Sequence, residues 1–216
     1  MKKILSFLSL VMLLACVGLT SCDDHDPVDD GIHVGDVVFG DHSTMSYSLY
    51  SLDTLTQMSR TPVGVVFAEK TKSHPALVVL LREPPTARMT DSLGVSLGTS
   101  TALDSCLGRS NSAALFTSGH CPASKYLFGF DNGRSVNIPS VYEARLLAAS
   151  LPTVNPIIEK LGGTPVRTRP SIWYWTSTEV SGNEGYEAWT FSAATGSIQP
   201  TPKTMNRNIR AIIELE

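Results

Sequence analysis

The 216-residue chain has few of the features from which function is usually read. It has no excess of positive charge. Its 17 Lys and Arg stand against 20 Asp and Glu, so no basic field exists to hold a phosphate backbone, and nucleic acid is excluded as an expected partner. It has four cysteines, and none is spaced as a Cys-x-x-Cys pair; no His-x-x-x-His occurs either, so the usual zinc patterns are missing and no metal or other cofactor is expected. A phosphate-binding loop motif is absent. No self-similarity at a 20–50 residue period suggests a solenoid. The longest apolar run, Ile4 to Val17, covers about 14 residues and falls short of the roughly 20 that span a bilayer. What remains is ordinary globular composition, 42% hydrophobic and 17% charged.

That apolar run follows Lys2 and Lys3 and ends at Leu19-Thr20-Ser21-Cys22, the layout of a signal peptide over residues 1–21. The last four residues resemble the lipobox of bacterial lipoproteins. The resemblance implies that Cys22 is acylated and becomes the first residue of the mature chain, with the membrane as partner through this lipid. Leu14-Ala15-Cys16 is a weaker second candidate. Cleavage before Cys22 leaves 195 residues and removes both lysines, taking the formal charge from −3 to −5. Asp23, Asp24, Asp26, Asp29 and Asp30, with Pro27 and Gly31, make residues 22–33 a solvated tether. An acidic cluster directly after the lipidated Cys also resembles the export signal of surface lipoproteins in Gram-negative anaerobes. It implies an outer-membrane protein exposed on the cell surface; an inward-facing periplasmic lipoprotein is the alternative.

With Cys16 discarded and Cys22 acylated, Cys106 and Cys121 remain as an even pair in an exported chain. A disulfide between them is the default expectation. A Cys121 nucleophile served by the adjacent His120 is weighed and set aside, because sequence neighbours rarely face each other as nucleophile and base.

Val63 to Phe67 and Ala76 to Leu81 are β-branched, nearly continuous apolar runs around a polar turn, which predicts a well-buried β-hairpin. Residues 82–110 carry Pro84-Pro85 and many Ser, Thr and Gly, and predict a loop-rich excursion. Ser140-Val-Tyr-Glu143 is a capping box that opens a helix. Pro152 is expected to break that helix, with a second piece over 154–161 stopped by Gly162-Gly163. Ile172 to Thr178, Glu187 to Ser192 and Ile209 to Leu215 predict strands, with Asn183 and Gly185 in the first connection and Gly196 and Pro200 in the second. Hairpin, loops, helices and then strands make a segregated α+β domain over 34–216.

The tail carries a family resemblance. Trp173-Tyr-Trp-Thr-Ser-Thr-Glu179, then Ala188-Trp189, Gly196 and Arg210-Ala-Ile212 resemble the Lcl C-terminal domain family and the related major paralogous domain of bacterial surface lipoproteins. Val34-Gly-Asp36, Thr61 to Phe67, Ala76 to Leu81, Gly108 with Asn111-Ser112, Pro139-Ser140 with Glu143, and Gly162-Gly163 follow the same pattern in order. Val136-Asn-Ile138 replaces the family's aromatic before Pro-Ser, and 86–128 matches poorly. The resemblance implies a C-type-lectin-like fold with an N-terminal hairpin, central helices and C-terminal antiparallel strands. It also implies a non-enzymatic, adhesin-like module for a glycan or protein. A structural subunit of a surface or pilus-like assembly is the alternative. An enzyme akin to formylglycine-generating enzymes is disfavoured, because Cys106 and Cys121 lie far upstream of where that chemistry needs its cysteines.

Alternation along a strand puts Trp173 and Trp175 on one face and Tyr174 on the other. Trp173, Tyr174, Asn183, Glu184, Tyr186, Asn206 and Asn208, in or near loops, are the expected ligand-binding residues. Trp175 and Trp189 are expected in the core, and Glu179 is expected to pair with Arg210 across the last strands. Asp131-Asn132-Gly133 reads as a turn rather than a calcium site.

Overall fold

A computed structural model describes residues 31–128 and 136–215. The signal peptide, Cys22, the acidic tether before Gly31 and the Asp131–Gly133 turn lie outside the described residues. The predicted hairpin organises everything else. Strand β3 (Pro62–Ala68) pairs antiparallel with β4 (Ala76–Leu80), Val65 opposite Val79, around the polar turn. β1 (Val37–Phe39) and β2 (Thr44–Met45) extend the sheet on the β3 side, and the C-terminal β8 (Ile212–Leu215) closes it against β4. The order is β2-β1-β3-β4-β8.

The hairpin is apolar at nearly every position because both faces of the sheet are covered. Val66, Ala76, Val78, Leu80, Ile213 and Leu215 face a core with Met89, Leu115, Cys121 and Trp175. Val65, Phe67, Leu77, Val79 and Ile212 face the opposite core, formed with α5 (Val141–Lys160). Period-two alternation delivers alternate residues to two hydrophobic layers rather than to core and water.

Helix α5 opens on the predicted capping box, with the Ser140 hydroxyl accepting from the Glu143 N–H and the Glu143 carboxylate accepting from the Ser140 N–H at 2.6 Å. It does not break at Pro152. One helix runs through Pro152 and Pro156 to Lys160. Both prolines lie on the exposed side, away from the stripe that packs on the sheet. The stripe Val141, Ala144, Leu147, Leu151, Val154 and Ile158 stays buried along the other side and holds both halves on the sheet.

The remaining elements include several that the pattern did not predict. α1 (Tyr47–Leu52) and α2 (Thr54–Ser59) follow β2. α3 (Gly108–Ser118) and α4 (Pro122–Phe128) follow the loop excursion, and α3 ends at Gly119 in the left-handed conformation. A second antiparallel sheet has the order β5-β6-β7, from β5 (Tyr174–Glu179), β6 (Glu187–Phe191) and β7 (Ile198–Pro202). β7 was hidden by Pro200, which the edge position tolerates because one side of that strand donates to no neighbour. The described residues thus form a mixed α+β structure of two antiparallel sheets and five helices. No described helix is long and apolar enough to cross a membrane.

Gly64 is the tightest point of the hairpin. A methyl group there would lie 2.5 Å from a Val78 side-chain carbon and 2.7 Å from the Val79 carbonyl oxygen. Gly64→Ala is expected to lower unfolding stability by about 1–3 kcal/mol, the cost of overpacking a filled core, as read by urea denaturation.

Candidate functional site

The loop-rich stretch 82–107 contains no helix or multi-residue strand, yet it is held at defined points. Its main anchor is Glu179, at the end of β5 and almost fully buried. Its partner is not Arg210. Oε1 of Glu179 accepts from the Lys203 ammonium at 2.7 Å and from the Leu97 N–H at 2.7 Å; Oε2 accepts from the Ser96 hydroxyl at 2.9 Å and the Thr99 N–H at 3.3 Å. Lys203, completely buried, spends its other two protons on the carbonyls of Val95 at 3.0 Å and Glu184 at 2.6 Å. All three ammonium protons are used, as a buried Lys requires. Three separate loops therefore meet at one ion pair.

Arg210 sits apart. Its guanidinium donates to the carbonyls of Thr164 and Leu80, both at 2.7 Å. Burial pulls it down to about 10, opposed by the negative charge of Glu83, so it remains charged at neutral pH. The expected pairing of Glu179 with Arg210 across the last strands is therefore replaced by Glu179 with Lys203. Lys203 carries no local signal, because nothing in its neighbourhood marks a lysine for burial.

Gly94-Val95-Ser96-Leu97-Gly98 matches Gly-x-Ser-x-Gly, contrary to the expectation that the chain lacks this motif. It sits in a loop with no strand leading in and no helix leading out, and the Ser96 hydroxyl is a donor to Glu179. The geometry is that of a clamp, not of a nucleophile elbow. Ser92, Asp91 and His120 also meet, but Ser92 and Asp91 both contact the same imidazole nitrogen, Nδ1, at 3.5 and 3.3 Å. A relay needs opposite ring nitrogens.

The expected ligand residues divide. Tyr174 is fully buried: its ring packs on Phe191 at 5.5 Å, its hydroxyl accepts from the Arg167 N–H at 3.0 Å, and burial raises its phenol. It offers a ligand nothing. Trp175 is in the core as expected, donating to the Ala87 carbonyl at 2.9 Å, whereas Trp189 is only half-buried. Asn208 is spent on Arg167 at 2.6 Å and the Trp173 carbonyl at 3.0 Å. Asn183 donates to Glu187 at 2.6 Å, and Glu184 accepts from the Gly182 N–H at 2.9 Å. Trp173 is half-buried. Tyr186, 54% exposed, and Asn206 remain open to solvent.

Asn206 is not brought together with Tyr186 in one pocket. It lines a polar groove of about 480 Å³ with Thr86, Arg88, Pro122, Tyr126 and Thr204. Arg88 is exposed and Tyr126 is 45% exposed. The groove joins the start of the loop excursion, α4 and the segment after β7. Its floor is fixed by backbone bonds: the Ala87 and Arg207 amides exchange N–H···O contacts at 3.0 Å, and the Met89 N–H donates to the Lys203 carbonyl at 2.8 Å. The sequence pointed to Asn206 alone; Thr86, Arg88, Pro122 and Tyr126 come from the loop excursion and α4, and Thr204 from the segment after β7.

The expected disulfide is not formed; both cysteines are free. Cys121 belongs to the core on one face of the five-stranded sheet, with its sulfur 3.6 Å from that of Met89. Cys106 packs against the core on the other face and donates to Oε1 of Glu143 at 3.1 Å. The sheet lies between the two layers, so an even cysteine count and a short intervening loop did not mean proximity. Cys106, Glu143 and Glu214 bring potential metal ligands within 4.8 Å of one another. However, both oxygens of Glu143 are already engaged, one by the thiol and one by the capping N–H. Burial, reinforced by the charge of Glu143, pushes the Cys106 thiol far up, which opposes the thiolate a metal would need.

Two measurements follow from this geometry. Lys203→Met, which strands a buried carboxylate, should cost about 3–5 kcal/mol in thermal or urea unfolding. Cys106 and Cys121 should both resist iodoacetamide in the folded protein at pH 8.5, and both should react in denaturant without a reductant. In comparisons with known proteins, the chain matches no family model and no curated protein.

Proposed function

We propose that the protein is a lipid-anchored, surface-exposed binding module without catalytic activity, and that its ligand is a glycan or a polar protein segment seated in the Arg88–Tyr126–Asn206 groove. The observation that carries this reading is the groove itself: one guanidinium, one amide, two threonine hydroxyls and one aromatic ring line a single polar recess. Such a set offers several directional hydrogen bonds and one flat apolar face, which suits a hydroxyl-rich partner. The buried Glu179–Lys203 pair supports it by fixing neighbouring loops before any ligand arrives, which lowers the ordering cost of binding. The lipobox-like signal and acidic tether supply the anchoring and surface part of the reading. The resemblance to the Lcl C-terminal domain supplies the C-type-lectin-like fold within the observed α+β arrangement.

A glycan and host-protein array probed with residues 31–216 tests the proposal. Saturable binding is expected, with Arg88→Ala and Asn206→Ala each weakening it about tenfold or more at unchanged melting temperature, the scale of a lost hydrogen bond involving a charged or amide group. Binding that survives both substitutions would remove the groove from the reading. Silence across the array, together with stoichiometric copurifying envelope proteins, would replace the binding module with a structural subunit.

A further inference from the structure

Helices α1 and α2 present an exposed apolar surface among the described residues. Leu49, Leu52, Leu55 and Met58 are 62%, 83%, 79% and 87% exposed. They are four of the ten exposed large apolar side chains among the described residues, gathered within ten positions. α1 buries only Tyr50, which packs on Phe39, with Tyr47 partly buried against the same cluster, and α2 buries no side chain. Six-residue helices do not persist on propensity alone. Here they are held by caps: the Ser46 hydroxyl accepts from Leu49 N–H, and Asp53 both terminates α1 and accepts from Thr56 N–H at 3.0 Å to begin α2. The segment is built to display these side chains rather than to bury them.

The same segment is electrically silent. Between Ser43 and Thr61 the only charged residues are Asp53 and Arg60. Asp53 is the cap, and Arg60 is paired with Asp41 at 2.8 Å and lies over the Phe39 ring. What faces outward is leucine, methionine and small hydroxyls. Val37, at the start of β1, pairs with Met45 at the end of β2, and α1 begins two residues later, so the first turn of α1 lies at the end of the sheet where β1 begins. Ten residues separate Cys22 from Ile32, a reach of at most roughly 35 Å.

We propose that α1 and α2 dock on the lipid bilayer, with Leu49, Leu52, Leu55 and Met58 inserted at the boundary between headgroups and acyl chains. The occupant is phospholipid rather than a second copy. A stable protein interface buries about 800 Å² on each partner, more than four side chains provide, whereas interfacial insertion requires only a shallow apolar face. The proposal rests on the lipid-anchored reading above, which holds the segment within reach of the membrane. Docking would fix the orientation of the domain on the membrane.

The test uses the full chain, expressed with its own signal in a Gram-negative host and examined in isolated membranes with a bilayer-partitioning diazirine label. Labelling of residues 47–59 is expected to exceed that of β5–β7 at least tenfold and to persist in 1 M salt (a concentration at which charge attraction is screened within about 3 Å). The triple variant Leu52→Ser, Leu55→Ser, Met58→Ser should lose the label at unchanged melting temperature, since these side chains support no core. Labelling at 47–59 no higher than on β5–β7 overturns the proposal, as does cross-linking of two copies through this segment without lipid label. Mass analysis of the N-terminal peptide reads the anchor separately. Acylated Cys22 without label at 47–59 defeats docking alone, and label with unacylated Cys22 defeats the anchor alone. Absence of both defeats the two readings together.

Discussion

The ion pair between Glu179 and Lys203 is the constraint on which the irregular half of the molecule depends. Residues 82–107 have almost no secondary structure to satisfy their backbone, and a segment of that length would otherwise be free to sample many conformations. Here Ser96, Leu97 and Thr99 spend their donors on one buried carboxylate, and the carbonyls of Val95 and Glu184 accept from one buried ammonium. Neither charge is tolerable without the other. Their mutual dependence converts two desolvated ions into a knot that ties the loop excursion to β5 and to the segment after β7. The polar groove beside Asn206 shares one residue's backbone with that knot, through the Met89 N–H bond to the Lys203 carbonyl.

The five-stranded sheet acts in a different way. Because both its faces are covered, it divides the interior into two apolar layers that do not communicate through side chains. This separation explains why Cys106 and Cys121 are free and why each has its own surroundings, one beside a helix-capping carboxylate and the other beside a methionine. Neither layer relies on a covalent staple. The continuous buried stripe of α5 carries the helix across two prolines, since the prolines lie on the exposed side while the retained contacts face the sheet.

Function, as proposed, lies on two surfaces with opposite chemistry. The groove at Arg88, Tyr126 and Asn206 is polar and shaped by fixed backbone, and it offers hydrogen bonds to a ligand. The outward face of α1 and α2 is apolar and carries no unpaired charge. The first would recognise a partner and the second would set the attitude of the domain on the membrane. Neither requires movement of the core.

The sequence by itself determined the elements whose signal is local. The β3–β4 hairpin follows from two β-branched runs around a polar turn, the start of α5 from Ser140 and Glu143, and the C-terminal strands from a change of hydrophobic period. These depend on neighbours within a few residues, so one-dimensional reading suffices. Tertiary structure alone decided the rest. Lys203 looks like any surface lysine until a strand-end carboxylate and two loop carbonyls surround it, and Tyr174 looks like a binding residue until the second core closes over it. Pro200 hid a strand because only an edge position excuses it, and Pro152 failed to end a helix because exposure excused it. Arg88, Tyr126 and Asn206 become one site only where the chain returns to itself. Pairing across long separations is set by which layer each face enters, and spacing along the chain carries no record of that.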